Sequence, residues 1–285
     1  MNLELLEISK EIRNILEQKR EEIKLSFIED KHIYYMANRN GDVTTKWPSV
    51  SNVLKSFYEP FDANTKSLQM CKGDKEKQKL LLEEWKLAGD ISTNMGSRVH
   101  FELEKEIVKQ YDNFKDVRQP IFDCDEERIL KSDNMINAGK DYIDLSHKRG
   151  SILLDTEIVL GSPILEFVGQ PDKIWLINDR NNDLSFYITD WKTSQPKNFE
   201  IKPYNGYLLS PFNKYRDYSL THYYLQIPLY GKLLIDMLKG SKYENIKMSG
   251  GIVVLLKDDG SFVEYRVPND IRDTILTMDL KKYLK

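Results

Sequence analysis

Gly169-Gln170-Pro171-Asp172, followed by Ile174-Trp175-Leu176-Ile177, then Asn178-Asp179-Arg180-Asn181-Asn182-Asp183, then Leu184 through Phe186-Tyr187-Ile188-Thr189-Asp190-Trp191-Lys192: this stretch decides the fold. Two apolar, β-prone runs flank a cluster of turn formers, which predicts a β-hairpin. Side chains alternate along a strand, so Asp190 and Lys192 share one face and Trp191 takes the other. Antiparallel pairing of 174–177 with 184–190 brings Asp172 to the same open end of the hairpin as Asp190. Two carboxylates that close repel unless a cation lies between them. The Lys192 ammonium can orient a water or neutralise a developing phosphate charge. An Asp-x-Lys triplet alone is an ordinary surface pair; its weight here comes from Asp172 arriving beside it.

Upstream, Gly96-Ser97-Arg98-Val99-His100-Phe101-Glu102-Leu103-Glu104 reads as helix. His100 and Glu104 are four apart and face the same way. An imidazole beside a carboxylate can complete a metal shell or brace one. Glu157, in Asp155-Thr156-Glu157-Ile158-Val159, is an acid inside an otherwise apolar strand. It points either to solvent or into a site.

Working outward, apolar residues at helical spacing cover Leu3 to Arg20. Asn38-Arg39-Asn40-Gly41-Asp42 lies between extended candidates and reads as a hairpin turn. Ser49 caps a short helix through Val50, Val53 and Leu54. Charged, helix-prone sequence runs from Thr65 to Ala88. Gly89 and Ser92-Thr93-Asn94 are expected to end that helix and start another, from Met95 to Tyr111. A further helix spans 125–147. Past Gly150 the pattern turns to strands at Ile152–Leu160, Ile164–Ile177 and Leu184–Trp191. Tyr223 to Leu238 is helical, Gly251–Lys257 and Phe262–Val267 form a hairpin, and a last helix starts at Asp270. This order predicts an α/β or mixed α+β core with a helical N-terminal elaboration.

The 285 residues are 31% charged and 40% hydrophobic, the balance of a globular chain rather than a disordered one. There is no apolar run of about 18 residues, which excludes a transmembrane helix. Glu4 and Glu7 in the first turns exclude a secretory signal, and an Arg-rich transit peptide is equally absent, so a cytoplasmic setting is expected; the missing transit peptide fits a bacterial or phage-infected cell. Cys71 and Cys124 are too few for a four-cysteine zinc or iron–sulfur centre, and two free thiols are expected. The net charge of -3 offers no bulk attraction for nucleic acid, so any such activity must come from a local site.

Taken in order, His100, Glu157, Gly169-x-x-Asp172, Asp190-x-Lys192 and Gln226-x-x-x-Tyr230 resemble the RecB-type branch of the PD-(D/E)XK nuclease superfamily. The chain is most similar to the mitochondrial genome maintenance exonuclease group and its phage relatives. Supporting stretches are Pro48-Ser49-Val50-x-x-Val53-Leu54, Gly96-x-Arg98-Val99-His100-x-x-Leu103-Glu104, Ile188 to Ser194 and Gly251-Ile252-Val253-Val254. The resemblance implies a central mixed sheet flanked by helices, with residues 1–90 an elaboration and 91–285 the nuclease core. It implies a metal site of His100, Asp172, Asp190 and the Trp191 carbonyl, holding Mg²⁺ or Mn²⁺, with Lys192 as the catalytic lysine beside Asp172 and Asp190. Glu104 and Glu157 sit close by, around a second ion where there are two. Gln226 and Tyr230 lie on a helix next to the site and contact DNA or brace the site. Pro228 between them departs from a regular helix and puts the placement of Tyr230 in question.

The implied activity is a metal-dependent DNA exonuclease on single-stranded or flapped ends. An endonuclease with the same site and a non-catalytic nucleic-acid-binding module are the alternatives. Lys197, Tyr204 and Tyr207 belong to a segment mixing cations with aromatics, suited to a phosphate backbone and to unpaired bases. Arg98 is a further candidate phosphate contact. A helicase, polymerase or single-strand-binding protein is a plausible partner, and a membrane is not. The N-terminal helices, with Trp47 and Trp85, are expected to form a cap over the strand. On that expectation, removing residues 1–45 alters substrate preference before metal binding.

Overall fold

In the computed structural model, the described residues are 3–28, 33–45, 47–110, 125–179, 181–193, 199 and 206–284. The elements in chain order are α1 (Leu3–Glu22), β1 (Ser26–Ile28), β2 (Ile33–Ala37), β3 (Val43–Thr44), α2 (Val50–Leu54), α3 (Ala63–Met70), α4 (Lys75–Gln110) and α5 (Glu126–Lys148). There follow β4 (Ile152–Thr156), β5 (Leu160–Ser162), β6 (Phe167–Gly169), β7 (Lys173–Asn178), β8 (Leu184–Lys192), α6 (Ser219–Met237), β9 (Lys247–Leu256), β10 (Phe262–Arg266) and α7 (Asn269–Thr277). The protein is mixed α/β. Its centre is a five-stranded sheet in the order β10-β9-β8-β7-β4.

The β7–β8 hairpin is the middle of that sheet, with Ile174 opposite Ile188 and Ile177 opposite Ser185. Within this sheet, among the described residues, only β8 and β9 run parallel. Parallel neighbours need a crossover, and α6 supplies it. Ile174, Leu176, Phe186, Ile188, Val253 and Leu255 bury one face together with residues of α1, α2, α6 and α7. Leu153, Trp175, Trp191, Val254 and Leu256 bury the other, against Val99, Leu103 and Ile107 of α4 and Tyr142 of α5. Burial on both faces explains why these strands read as nearly continuous apolar runs.

The helix breaks differ from the sequence expectation. A stop falls at Gly73, not Gly89. Gly73 has φ +83 and donates its N–H to Leu68, while Asp74 accepts from the amides of Glu76 and Lys77 to start α4. A left-handed position of this kind favours glycine as a helix stop. Gly89 lies within α4, where an interior glycine costs only about 1 kcal/mol. The 36 residues of α4 span roughly 54 Å. Its outer half leaves Leu80 and Leu87 exposed; its inner half buries Val99, Leu103 and Ile107.

The N-terminal helix is also placed otherwise than expected. Leu5, Ile12 and Leu16 are buried in the main core, and Ser9 Oγ donates to the Leu153 carbonyl of β4 at 2.9 Å. Thus α1 is a layer of the core rather than a cap, and residue 90 lies in the middle of α4. Asn38 to Asp42 do form the β2–β3 turn, and the Ser49 hydroxyl caps α2. Among the described residues no helix is long and apolar enough to cross a membrane.

Candidate metal centre

Three elements meet at one end of the sheet. Asp172 precedes β7, and its Oδ2 accepts the backbone N–H of Trp191 at 2.6 Å. That bond joins the two ends of the hairpin. In a strand the N–H and C=O of one residue point to the same edge, so the Trp191 carbonyl is directed to the Asp172 side. Glu157 follows β4 directly. It is not in a strand: its φ of +49 turns the chain out of β4. The left-handed region is costly for a side chain other than glycine, of order 1–2 kcal/mol. Three bonds hold it there: Glu157 N to Asp172 O at 3.1 Å, Thr156 Oγ1 to Asp172 O at 2.9 Å, and Gln170 Nε2 to Glu157 O at 3.0 Å.

The inner half of α4 brings His100. Its Nδ1 lies 3.6 Å from both Glu157 Oε1 and Asp172 Oδ1. The ligand atoms of His100, Glu157 and Asp172 all fall within 4.8 Å of one another. His100 and Glu157 keep 29% and 20% of their side-chain exposure, so solvent reaches the group. Asp190 stands beside it at 2% exposure. Its Oδ2 is 2.6 Å from Lys192 Nζ, an ion pair whose angles make no directed hydrogen bond, which leaves that buried oxygen without one. A buried carboxylate oxygen in that condition, next to an imidazole and two more carboxylates, fits a divalent cation that accepts oxygen and imidazole donors. His100, Glu157 and Asp172 are grouped closely enough to hold it, and Asp190, beside them, lies outside that three-residue group.

The electrostatics follow from crowding and burial. Burial pushes the Asp190 carboxyl up to about 6, against the pull of Lys192. Burial and then Asp172 raise Glu157. For His100, burial opposes the charged ring, but Asp172 and Glu157 outweigh it and the pKa rises. Lys192 is likewise opposed by burial but held well above its ordinary value by Asp190 and Asp172. It is an ammonium at any physiological pH, a donor rather than a base.

These shifts give a testable sign. A carboxyl raised from 3.8 to about 6 stabilises the fold fully below pH 3.8 and loses that contribution as pH rises through 6. Lys192 stays charged throughout this window and adds no slope. In EDTA, the stability of the wild type relative to Asp190→Asn should therefore fall from pH 4 to pH 7, by about 3 kcal/mol at most. Saturating Mn²⁺ should reverse the fall. Urea melts at both pH values, with and without the ion, check it; a flat difference contradicts the burial argument.

The remaining expected residues separate clearly. Gln226 Nε2 donates to Tyr230 Oη at 2.7 Å, and α6 continues through Pro228. Tyr230 is buried, and its ring packs on the Gly169 backbone, where a Cβ would meet it at 2.7 Å. This close approach is the physical reason for glycine in Gly169-x-x-Asp172. Tyr230 is near enough to Asp190 and Asp172 for their charge, after burial, to raise its pKa. Glu104 is outside the His100–Glu157–Asp172 group. Arg98 is not directed to that group: its guanidinium bonds Asp133 Oδ1 at 2.6 Å and Ser132, tying α4 to α5. Tyr207 is half exposed, with the Arg216 guanidinium 4.4 Å over its ring. Lys197 and Tyr204 lie outside the described residues.

The structure adds two neighbours of the site that the sequence pattern does not mark. Tyr34 of β2 is buried, and its phenol is pushed up to about 12 by burial and the Glu157 charge. Lys173 opens β7 at 1% exposure, with its ammonium 4.4 Å over the Trp191 ring. Burial pushes it down, against Asp172, Glu157, Glu104 and Asp190. The available signal was a charged residue heading the apolar run Ile174 to Ile177. No protein-family model and no curated protein matches the chain.

Proposed function

We propose that this protein is a divalent-metal-dependent DNA nuclease of the RecB-like PD-(D/E)XK kind, acting as an exonuclease on single-stranded or flapped ends. One observation carries the reading: His100, Glu157, Asp172 and the Asp190–Lys192 pair converge at one end of the sheet. A bound Mg²⁺ or Mn²⁺ supplies a Lewis acid and a water of lowered pKa. Asp172 and Asp190 orient the reacting centre through their fixed carboxylates. Lys192, pinned between Asp190 and the Tyr223 ring 4.4 Å from its ammonium, donates to the attacking water or to a phosphate oxygen. Because it is held protonated, it offsets negative charge and takes no proton. The exposed Tyr207 ring, carrying Arg216, suits an unpaired base and its phosphate.

The test uses the purified protein with end-labelled linear and circular DNA, single-stranded and duplex, in Mg²⁺, Mn²⁺ or EDTA. Linear single strands should shorten only with metal, and circles should survive. Cut circles would replace the exonuclease by an endonuclease with the same site. No cleavage under any metal overturns the enzyme.

A further inference from the structure

Gly96, Val99, His100 and Leu103 of α4 fall at the i, i+3, i+4, i+7 spacing of one helix face. Val99 and Leu103 are fully buried, in the cluster that holds Trp191. His100 reaches Glu157 and Asp172, each at 3.6 Å. Gly96 lies one turn before His100 and meets the end of β8. A Cβ there would stand 3.1 Å from Oγ1 of Thr193, the residue that follows Lys192. That is closer than an ordinary van der Waals contact. A single turn of α4 thus spans the site, resting beyond Lys192 at Gly96 and beside Asp172 and Glu157 at His100.

Glycine inside a helix is a cost, because it loses more backbone freedom than any other residue. Helix α4 contains two of them. Around Gly89, in the exposed outer half, a Cβ would meet nothing within 4 Å. At Gly96 the missing side chain is what lets the helix backbone come down onto the strand end. Thr193 is β-branched and stiff at χ1, so it yields little to an added methyl. The helix must rise instead, and His100, one turn along the same face, rises with it.

We propose that Gly96 is a positioning residue of the metal centre: the absence of a side chain there sets the depth at which the His100 imidazole enters the carboxylate group. The inference rests on the metal-dependent nuclease reading and adds to it a residue that acts only through His100.

The test is the Mn²⁺ affinity of the full-length protein without DNA, by titration calorimetry, with circular dichroism as the check on folding. Gly96→Ala should bind roughly tenfold more weakly than the wild type, the scale of loss when a metal ligand's support is disturbed. Gly89→Ala should bind as the wild type does. Thr193→Ala removes the oxygen that the new methyl meets, so in that background Gly96→Ala should cost nothing. With His100→Ala already present, Gly96→Ala should likewise add no further loss, because two changes acting through one contact do not add. Thr193→Ile crowds the same contact from the strand side and should weaken binding too, which keeps the test decisive if Gly96→Ala does not fold. Wild-type affinity in a folded Gly96→Ala or Thr193→Ile overturns the inference and leaves the nuclease standing. So does an equal loss in Gly89→Ala, or a loss that persists in either the Thr193→Ala or the His100→Ala background. A wild type that neither binds Mn²⁺ nor cleaves DNA removes the nuclease reading, and this inference with it.

Discussion

Asp172→Asn should lower metal-dependent cleavage by roughly a thousandfold and abolish measurable Mn²⁺ binding, while the protein stays folded. The amide oxygen of asparagine can still accept the Trp191 N–H, so the 2.6 Å tie between the hairpin ends survives. What is lost is the negative charge. Asp172 is the point of the cluster nearest in common to His100, Glu157 and the β8 strand end. Metal ions stabilise the transition state of such reactions by several kcal/mol. At 1.36 kcal/mol per tenfold, about 4 kcal/mol is a factor of a thousand. Single-turnover cleavage, Mn²⁺ calorimetry and circular dichroism together check this. Near-full metal-dependent activity in the variant would show that the chemistry lies elsewhere.

Removal of residues 1–45 should abolish folding altogether. Leu5, Ile12 and Leu16 of α1 are all at 2% exposure or below, in the same core as the sheet. Each such side chain contributes about 1.5–3 kcal/mol on burial, so the three together contribute roughly 5–9 kcal/mol. Total stabilities of single domains are about 5–15 kcal/mol. The deletion also removes Tyr34 and Met36, buried in the hairpin cluster beside the site. The truncated protein should show no cooperative thermal transition and no ion binding. A folded truncated protein with Mn²⁺ binding intact and only its substrate preference altered would restore the picture of a separate N-terminal cap.

How much of this could be read beforehand depended on the range of the interactions concerned. The β7–β8 hairpin was legible because both its strands and its turn cluster lie within twenty-odd consecutive residues. The approach of Asp172 to the Asp190 end followed from pairing alone. Ser49 as a cap and Asn38–Asp42 as a turn are local chemistry of the same sort. The end of a helix at Gly73 rather than Gly89 was not, because a glycine stops a helix only where the chain adopts positive φ, and both positions carry helix-compatible neighbours. Glu157 looked like a strand residue because its flanks are apolar. The turn it makes is held by a bond from the Gln170 amide and by one that Glu157 N–H donates to the Asp172 carbonyl, which strand periodicity does not register. Arg98 read as a free cation because its partners Ser132 and Asp133 belong to another helix. Lys173 carries no local signal of its place, because its burial is a property of the assembled sheet.

The backbone bond from the Glu157 N–H to the Asp172 carbonyl has a kinetic side. With Asp190 these two residues form a floor drawn from residues 157 to 190, closed by two antiparallel pairings of short span. His100 comes from much farther back, and it reaches the floor only when α4 has docked on the sheet. Closing a longer loop costs more entropy, and non-local contacts form late. The floor is thus expected early in folding and the imidazole late, so the appearance of tight ion binding during refolding marks the docking of α4.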